Sequence, residues 1–240
     1  MSHRDGGGDE TGMDTYCNDI TTWLTVGTDL DVAQDLTGQI FAATIAELQS
    51  HGVTHVLDVR SEWDNRGDWE AAGMPTEHYK YLPIDDSWRH IPAESWFAGV
   101  EEFVTRFRAE ASEGDRLYVH CHMGINRAPS AAMLALLTVD PELDPLVAFR
   151  SIRKARPIAG LVYAEHVGIR HLRNKEGVQI PAGDDVPESV TEFSKALSSY
   201  WTPELRKSVH AGIAYYRSKG GGTTVVGENT TLAASNGASR

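Results

Sequence analysis

The sequence predicts an α/β fold: a mostly parallel central sheet of four to five strands, flanked by helices on both faces and extended by extra C-terminal helices. Three observations carry this expectation. Strand-length apolar runs alternate with amphipathic helical stretches over residues 19–173, the pattern of a parallel sheet joined by helical crossovers. Residues 53–59 form a short β-branched run that reads as a buried strand. Residues 117–120 read as a strand that enters a tight loop, and an alanine-rich helix follows over 128–139.

The elements follow in chain order. Residues 1–15 are polar and glycine-rich and are expected to be disordered. Apolar and polar residues alternate over 19–27, predicting a first strand. Phe41, Ile45 and Leu48 lie at helical spacing and stop at His51-Gly52. After the strand at 53–59, residues 61–76 are charged and contain glycine, predicting a loop. Residues 79–84 predict another strand, ended by Asp85-Asp86-Ser87. Trp96, Phe97, Val100, Phe103, Val104 and Phe107 mark one face of a helix. Asp144 caps and Pro145 opens a helix reaching Lys154, and another is expected over 162–173. Residues 174–187 are polar with two prolines and mark a boundary. Val190, Phe193, Leu197 and Tyr200 fit one more helix, and Thr202-Pro203 caps another carrying Leu205, Val209, Ile213 and Tyr216. The expected division is a disordered arm over 1–15, the principal domain over 16–175, a helical extension over 176–218 and a flexible tail over 219–240.

The formal net charge of −12 argues against nucleic acid or a membrane surface as partner, because an acidic surface repels phosphate backbones and anionic lipids. Two cysteines, Cys17 and Cys121, make no disulfide framework and suit a reducing compartment. The polar first residues carry no apolar signal region, and no apolar run has membrane-span length; the expectation is a cytoplasmic protein.

The chemistry concentrates in His120-Cys121-His122-Met123-Gly124-Ile125-Asn126-Arg127-Ala128-Pro129-Ser130. A thiol attacks only as thiolate, and its free pKa is about 8.5. A cysteine at the mouth of a loop that feeds a helix N-terminus faces backbone N–H dipoles and the positive helix end, which favour the thiolate. The same amides, from His122, Met123, Gly124, Ile125 and Asn126, can bind the oxygens of a phosphate. Arg127 adds a planar fork of donors for two such oxygens. Gly124 lets the backbone turn its amides inward, and Pro129 suits the first helical turn.

This segment resembles the His-Cys-x5-Arg loop of the cysteine-dependent protein tyrosine phosphatases, and Ile125 to Ser130 look most like the dual-specificity subfamily. Residues 20–27, 52–59 and 81–86 also resemble strands of that family, so the likeness covers about residues 16–173 and makes the principal domain a phosphatase domain. The resemblance implies a cysteinyl-phosphate intermediate, no metal or other cofactor, and a phosphorylated protein or peptide as substrate, phosphotyrosine first and phosphoserine or phosphothreonine as further candidates. It implies a general acid just after the strand that precedes the cysteine by one crossover. Asp86 matches best, with Asp85 as runner-up. His120 corresponds to a buried residue that supports the loop and thiolate by hydrogen bonds. Where the family carries Ser or Thr after the arginine, this chain has Ala128; the missing hydroxyl predicts slow breakdown of the intermediate. Ser130 matches a separate supporting position. The family's water-orienting residue is unassigned, with only Glu165 and His166 nearby. The loop lacks lysine, which favours phosphoproteins over phosphoinositides.

Weaker signals remain. No Cys/His cluster has zinc spacing in sequence. Arg60, Trp63, Trp88 and Arg89 lie on loops expected near the pocket. Asp58-Val59-Arg60 followed by Glu62 resembles a phrase of rhodanese-like sulfurtransferases, whose active loop is one residue shorter. A pseudophosphatase that binds phosphoproteins without turnover is the non-enzymatic alternative. The C-terminal helices are expected to pack on the domain, with self-association as their alternative role.

Overall fold

The structure, a computed structural model, describes residues 17–30, 44–86, 91–177 and 187–200. The expected arm, the helix after Thr202-Pro203, the tail, Phe41, Trp88 and Arg89 lie outside these.

A five-stranded sheet has the order β1-β2-β5-β3-β4. Its strands are β1 (Cys17–Asp19), β2 (Leu24–Gly27), β3 (Val53–Asp58), β4 (Tyr79–Tyr81) and β5 (Arg116–His120). The first strand expected over 19–27 is instead a hairpin. The Thr21 hydroxyl accepts from the amides of Trp23 and Leu24 and turns the chain, so β1 pairs antiparallel with β2. The other pairings are parallel, which makes the sheet mixed rather than mostly parallel.

Seven helices are described: α1 (Ile45–Ser50), α2 (Arg66–Ala71), α3 (Glu94–Glu110), α4 (Arg127–Val139), α5 (Pro145–Ala155), α6 (Ala164–Glu176) and α7 (Glu188–Tyr200). A capping box between Thr44 and Glu47 starts α1. The Asp144 carboxylate caps α5, with Pro145 in its first turn, as the sequence predicts. Gly177 in the left-handed region ends α6. The loop expected over 61–76 contains α2, whose one buried side chain is Trp69.

Period-two alternation assigns each strand residue to a layer. Leu24, Val26, Leu57, Leu117 and Val119 face a large core shared with α3 through α7. Val56, Tyr79 and Tyr118 face a smaller cluster with Leu48 of α1 and Trp69 of α2. The C-terminal stripe settles into the main core: Phe193 packs so closely on Gly168 that a Cβ there would sit 2.2 Å from the ring. Tyr200 meets Phe149 edge-on at 4.8 Å. The apolar face of α7 is therefore covered by its own chain, which removes the basis for self-association through it.

Candidate active site

β5 delivers Cys121 to the carboxyl end of the sheet, and residues 122–126 turn into α4, whose first residue is Arg127. Cys121 is 2 % exposed and forms the floor of this turn. The turn is closed by what its carbonyls do. The His122 carbonyl accepts from the Asp29 amide at 3.1 Å. Those of Gly124 and Met123 accept from Arg156 Nε and Nη2 at 2.6 and 3.3 Å. The Ile125 carbonyl accepts from the amides of Gly160 and Leu161 at 2.6 and 3.3 Å. The Asn126 carbonyl accepts from the Ser130 amide and hydroxyl at 3.2 and 2.7 Å. Five consecutive carbonyls are thus held outward, while the amides of residues 122–126 donate to no described residue. Successive amides aimed at one concavity make an anion cradle.

Gly124 has φ +61, and a Cβ there would lie 2.5 Å from the Gly27 carbonyl. Gly160 lets Asn126 approach; its Cβ would sit 2.2 Å from Asn126 Oδ1. Leu161 takes a positive φ of 43° in the segment that backs the turn, a local strain held by its surroundings.

The Arg127 guanidinium is gripped by Glu62, with Nη1 and Nη2 donating to its two carboxylate oxygens at 2.8 and 2.7 Å, and Nη1 also to Ser61 Oγ at 3.2 Å. Burial disfavours the Glu62 charge, but the bonds from Arg127 outweigh it and hold the carboxyl below its ordinary range. Arg127 Nε donates to no hydrogen-bond acceptor among the described residues and has Asp86 Oδ2 at 3.9 Å. The structure thus brings Cys121, Arg127 and Asp86 to one place. The Asp85 carbonyl is engaged by the Tyr163 hydroxyl.

Beneath the loop lies a buried polar network. The Arg60 guanidinium bonds Asp58 through Nε and Nη2 and pairs with Asp29. Tyr79 donates its hydroxyl to Asp58 at 2.7 Å, and Asn65 its amide nitrogen to Asp29 at 3.1 Å. Burial raises the carboxyl pKa of Asp29 and Asp58; hydrogen bonds and nearby positive charge more than reverse this and keep both below the usual range. Arg60 therefore lies under the pocket as a buried ion partner rather than on its wall. Trp63 does reach the loop, its ring edge-on to His122 at 5.6 Å.

His120 is fully buried, but its ring makes no hydrogen bond to the described residues, contrary to the expectation that it supports the loop that way. It stacks on Tyr118 at 5.3 Å with Asp58 at 3.8 Å, and burial lowers its pKa, so the imidazole is favoured neutral. His122 has Asp29 at 3.8 Å. Ala128 is fully buried, and the Ser130 hydroxyl donates to Asn126 and accepts from the Tyr163 amide, so it is committed away from the sulfur. The sequence did not place Glu62, Arg156 or Asp29 in the site: Glu62 stood out only as part of the rhodanese-like phrase, and nothing along the chain ties Arg156 or Asp29 to the loop.

No protein-family model matches the chain. It is 29 % identical over 141 residues to the protein phosphatase Slingshot homolog 3 of Mus musculus, covering 57 % of this chain and 19 % of that protein. It is 29 % identical over 90 residues to the mouse dual specificity protein phosphatase 2, covering 38 % of this chain and 25 % of that one. The alignments therefore span a quarter or less of those relatives. The crystal structure of PTPMT1 in complex with PI(5)P superposes with a TM-score of 0.50 at 16 % identity, covering 67 % of this chain and 99 % of that one. The chain has the fold of, and is similar in sequence to, the dual-specificity phosphatases of the cysteine-dependent protein tyrosine phosphatase superfamily.

Proposed function

We propose that the chain hydrolyses phosphoric monoesters on proteins, phosphotyrosine first and phosphoserine or phosphothreonine next, through a cysteinyl-phosphate intermediate. The observation that carries this reading is the run of five carbonyls over 122–126 engaged by other parts of the chain, while the loop amides of the same residues have no acceptor among the described residues and are free to bind an anion. In the proposed reaction the Cys121 thiolate attacks phosphorus and the S–P bond forms as the ester P–O bond breaks. Asp86 gives its proton to the departing oxygen, which would otherwise leave as a poor phenolate or alkoxide. Arg127 bridges two equatorial oxygens in the transition state, and Glu62 fixes the plane of its fork. Water, deprotonated by Asp86, then attacks phosphorus and returns the thiolate and inorganic phosphate. The residues 16–175 form the phosphatase domain in this reading, and a reducing, cytoplasmic setting suits its thiols.

Ala128 supports a slow second step, since no hydroxyl there stabilises the departing thiolate. The phosphoinositide in the PTPMT1 complex names a second ester class to test, and the lysine-free loop favours the protein substrate. The test is rapid-quench hydrolysis of p-nitrophenyl phosphate, a phosphotyrosine peptide and a phosphoinositide. A burst followed by slow turnover is expected, with the peptide preferred. Cys121→Ser abolishes it, and Asp86→Ala lowers kcat by about 10²–10⁴-fold. Tight vanadate binding without any hydrolysis would make the chain a phosphoprotein-binding module instead. Thiosulfate:cyanide sulfur transfer would make it a sulfurtransferase.

A further inference from the structure

Away from the loop, three residues distant in sequence converge beside a cleft of about 460 Å³. His55 comes from β3, His78 from the 3-10 turn before β4, and Glu110 from the last turn of α3. One ligand atom from each falls within 4.8 Å of the others. His55 is the telling member. Its side chain is 3 % exposed, yet Nε2 has no hydrogen-bond partner among the described residues and faces Glu110 Oε2 at 3.8 Å. A polar atom so buried and unpartnered is costly unless something occupies its lone pair. Its other nitrogen, Nδ1, lies 3.1 Å from Thr54 Oγ1. With that nitrogen protonated and donating to Thr54, the lone pair falls on Nε2, the arrangement by which a neighbouring group orients a metal-binding imidazole.

The surroundings hold the ring in place. Phe107 meets it edge-on at 4.9 Å, and His78 stacks on it at 3.9 Å. His78 is half-buried and Glu110 exposed, which gives an ion a route in from solvent.

We propose that His55, His78 and Glu110 form a binding site for a divalent transition ion, zinc above all, with water in the fourth position. Two imidazoles and a carboxylate match the borderline preference of zinc. Zinc bonds of about 2.0–2.2 Å require ligand atoms about 3.4 Å apart. Reaching that spacing from within 4.8 Å needs the less buried His78 and Glu110 side chains to close on His55. The ion would tie β3, the turn before β4 and α3 together on the sheet face that carries the large core. This site is independent of the phosphatase reading.

The test uses the full chain without an affinity tag and with Cys121→Ser, so that the loop thiol cannot bind metal. Zinc is titrated by calorimetry and cobalt by visible absorption. One ion per chain is expected, with cobalt d–d bands and no thiolate charge-transfer band. At zinc near a hundred times Kd, the thermal midpoint should rise by about 5–10 °C. His78→Ala and Glu110→Gln, both outside the packed core, should each weaken binding at least tenfold. Absence of stoichiometric binding, unchanged affinity in those two variants, or a thiolate band from Cys17 would each overturn the proposal.

Discussion

Replacing Arg156 with lysine tests whether the carbonyls of the loop are held outward for a purpose. Arg156 donates to Gly124 O and Asn18 Oδ1 at 2.6 Å each and to Met123 O at 3.3 Å. A lysine keeps the charge and most of the stem, but one ammonium cannot span three acceptors that a planar fork reaches together. Hydrogen bonds from a charged donor contribute about 1.5–3 kcal/mol each, and the 3.3 Å bond belongs at the low end. Keeping one and losing two predicts a stability loss of about 3 kcal/mol, a large part of the roughly 5–15 kcal/mol typical of a domain. Urea unfolding measures that part. The second part is functional. A freed Gly124 peptide can turn its oxygen toward the anion, and a misplacement of about 1 Å in a reacting site costs about 10²-fold. Arg156→Lys is therefore expected to weaken competitive inhibition by vanadate at least tenfold and to lower kcat/KM by about 10²-fold. Phosphate rescue does not follow, because the defect is in geometry rather than charge. Lost stability with undiminished vanadate inhibition would refute the reasoning and reduce Arg156 to a structural brace.

Two further outcomes are expected. Ala128→Ser should restore the hydroxyl at the head of α4, raise steady-state turnover several-fold and shrink the burst; an unchanged burst amplitude in rapid-quench traces would count against the assigned role of that position. For pH, burial places the folded His55 pKa near 4, below its unfolded value of about 6.5. The unfolded chain then binds a proton the folded chain refuses, so stability is full above pH 6.5 and falls as pH drops toward 4, by roughly 2–3 kcal/mol. Urea titrations of the metal-free protein at pH 7 and 4.5 should show this loss, and His55→Gln should show distinctly less of it; an identical pH dependence in the variant would place its origin elsewhere, with His120 the next buried imidazole.

Most strands and helices were legible because their patterns are local. Residues 53–58 and 116–120 carry strand-length stretches with Val, Leu and Tyr at their centres, and the stripe from Trp96 to Phe107 repeats at the helical period. The hairpin between β1 and β2 was not. Its turn uses Ile20-Thr21-Thr22-Trp23, with no Gly or Pro, and a threonine hydroxyl does the turning. Helix α2 was hidden because six residues with one buried side chain carry no period.

Cys121, Arg127 and the glycine between them were placed by the sequence, since a strand, a loop and a helix start made of contiguous residues constrain one another through the chain itself. Folding alone decided what surrounds them. Glu62 on the arginine fork, Arg156 on the loop carbonyls, Asp86 rather than Asp85 beside Arg127, and the meeting of His55, His78 and Glu110 all join positions far apart in the chain. Such meetings depend on strand order and helix packing, which set distances in space that spacing along the chain does not encode.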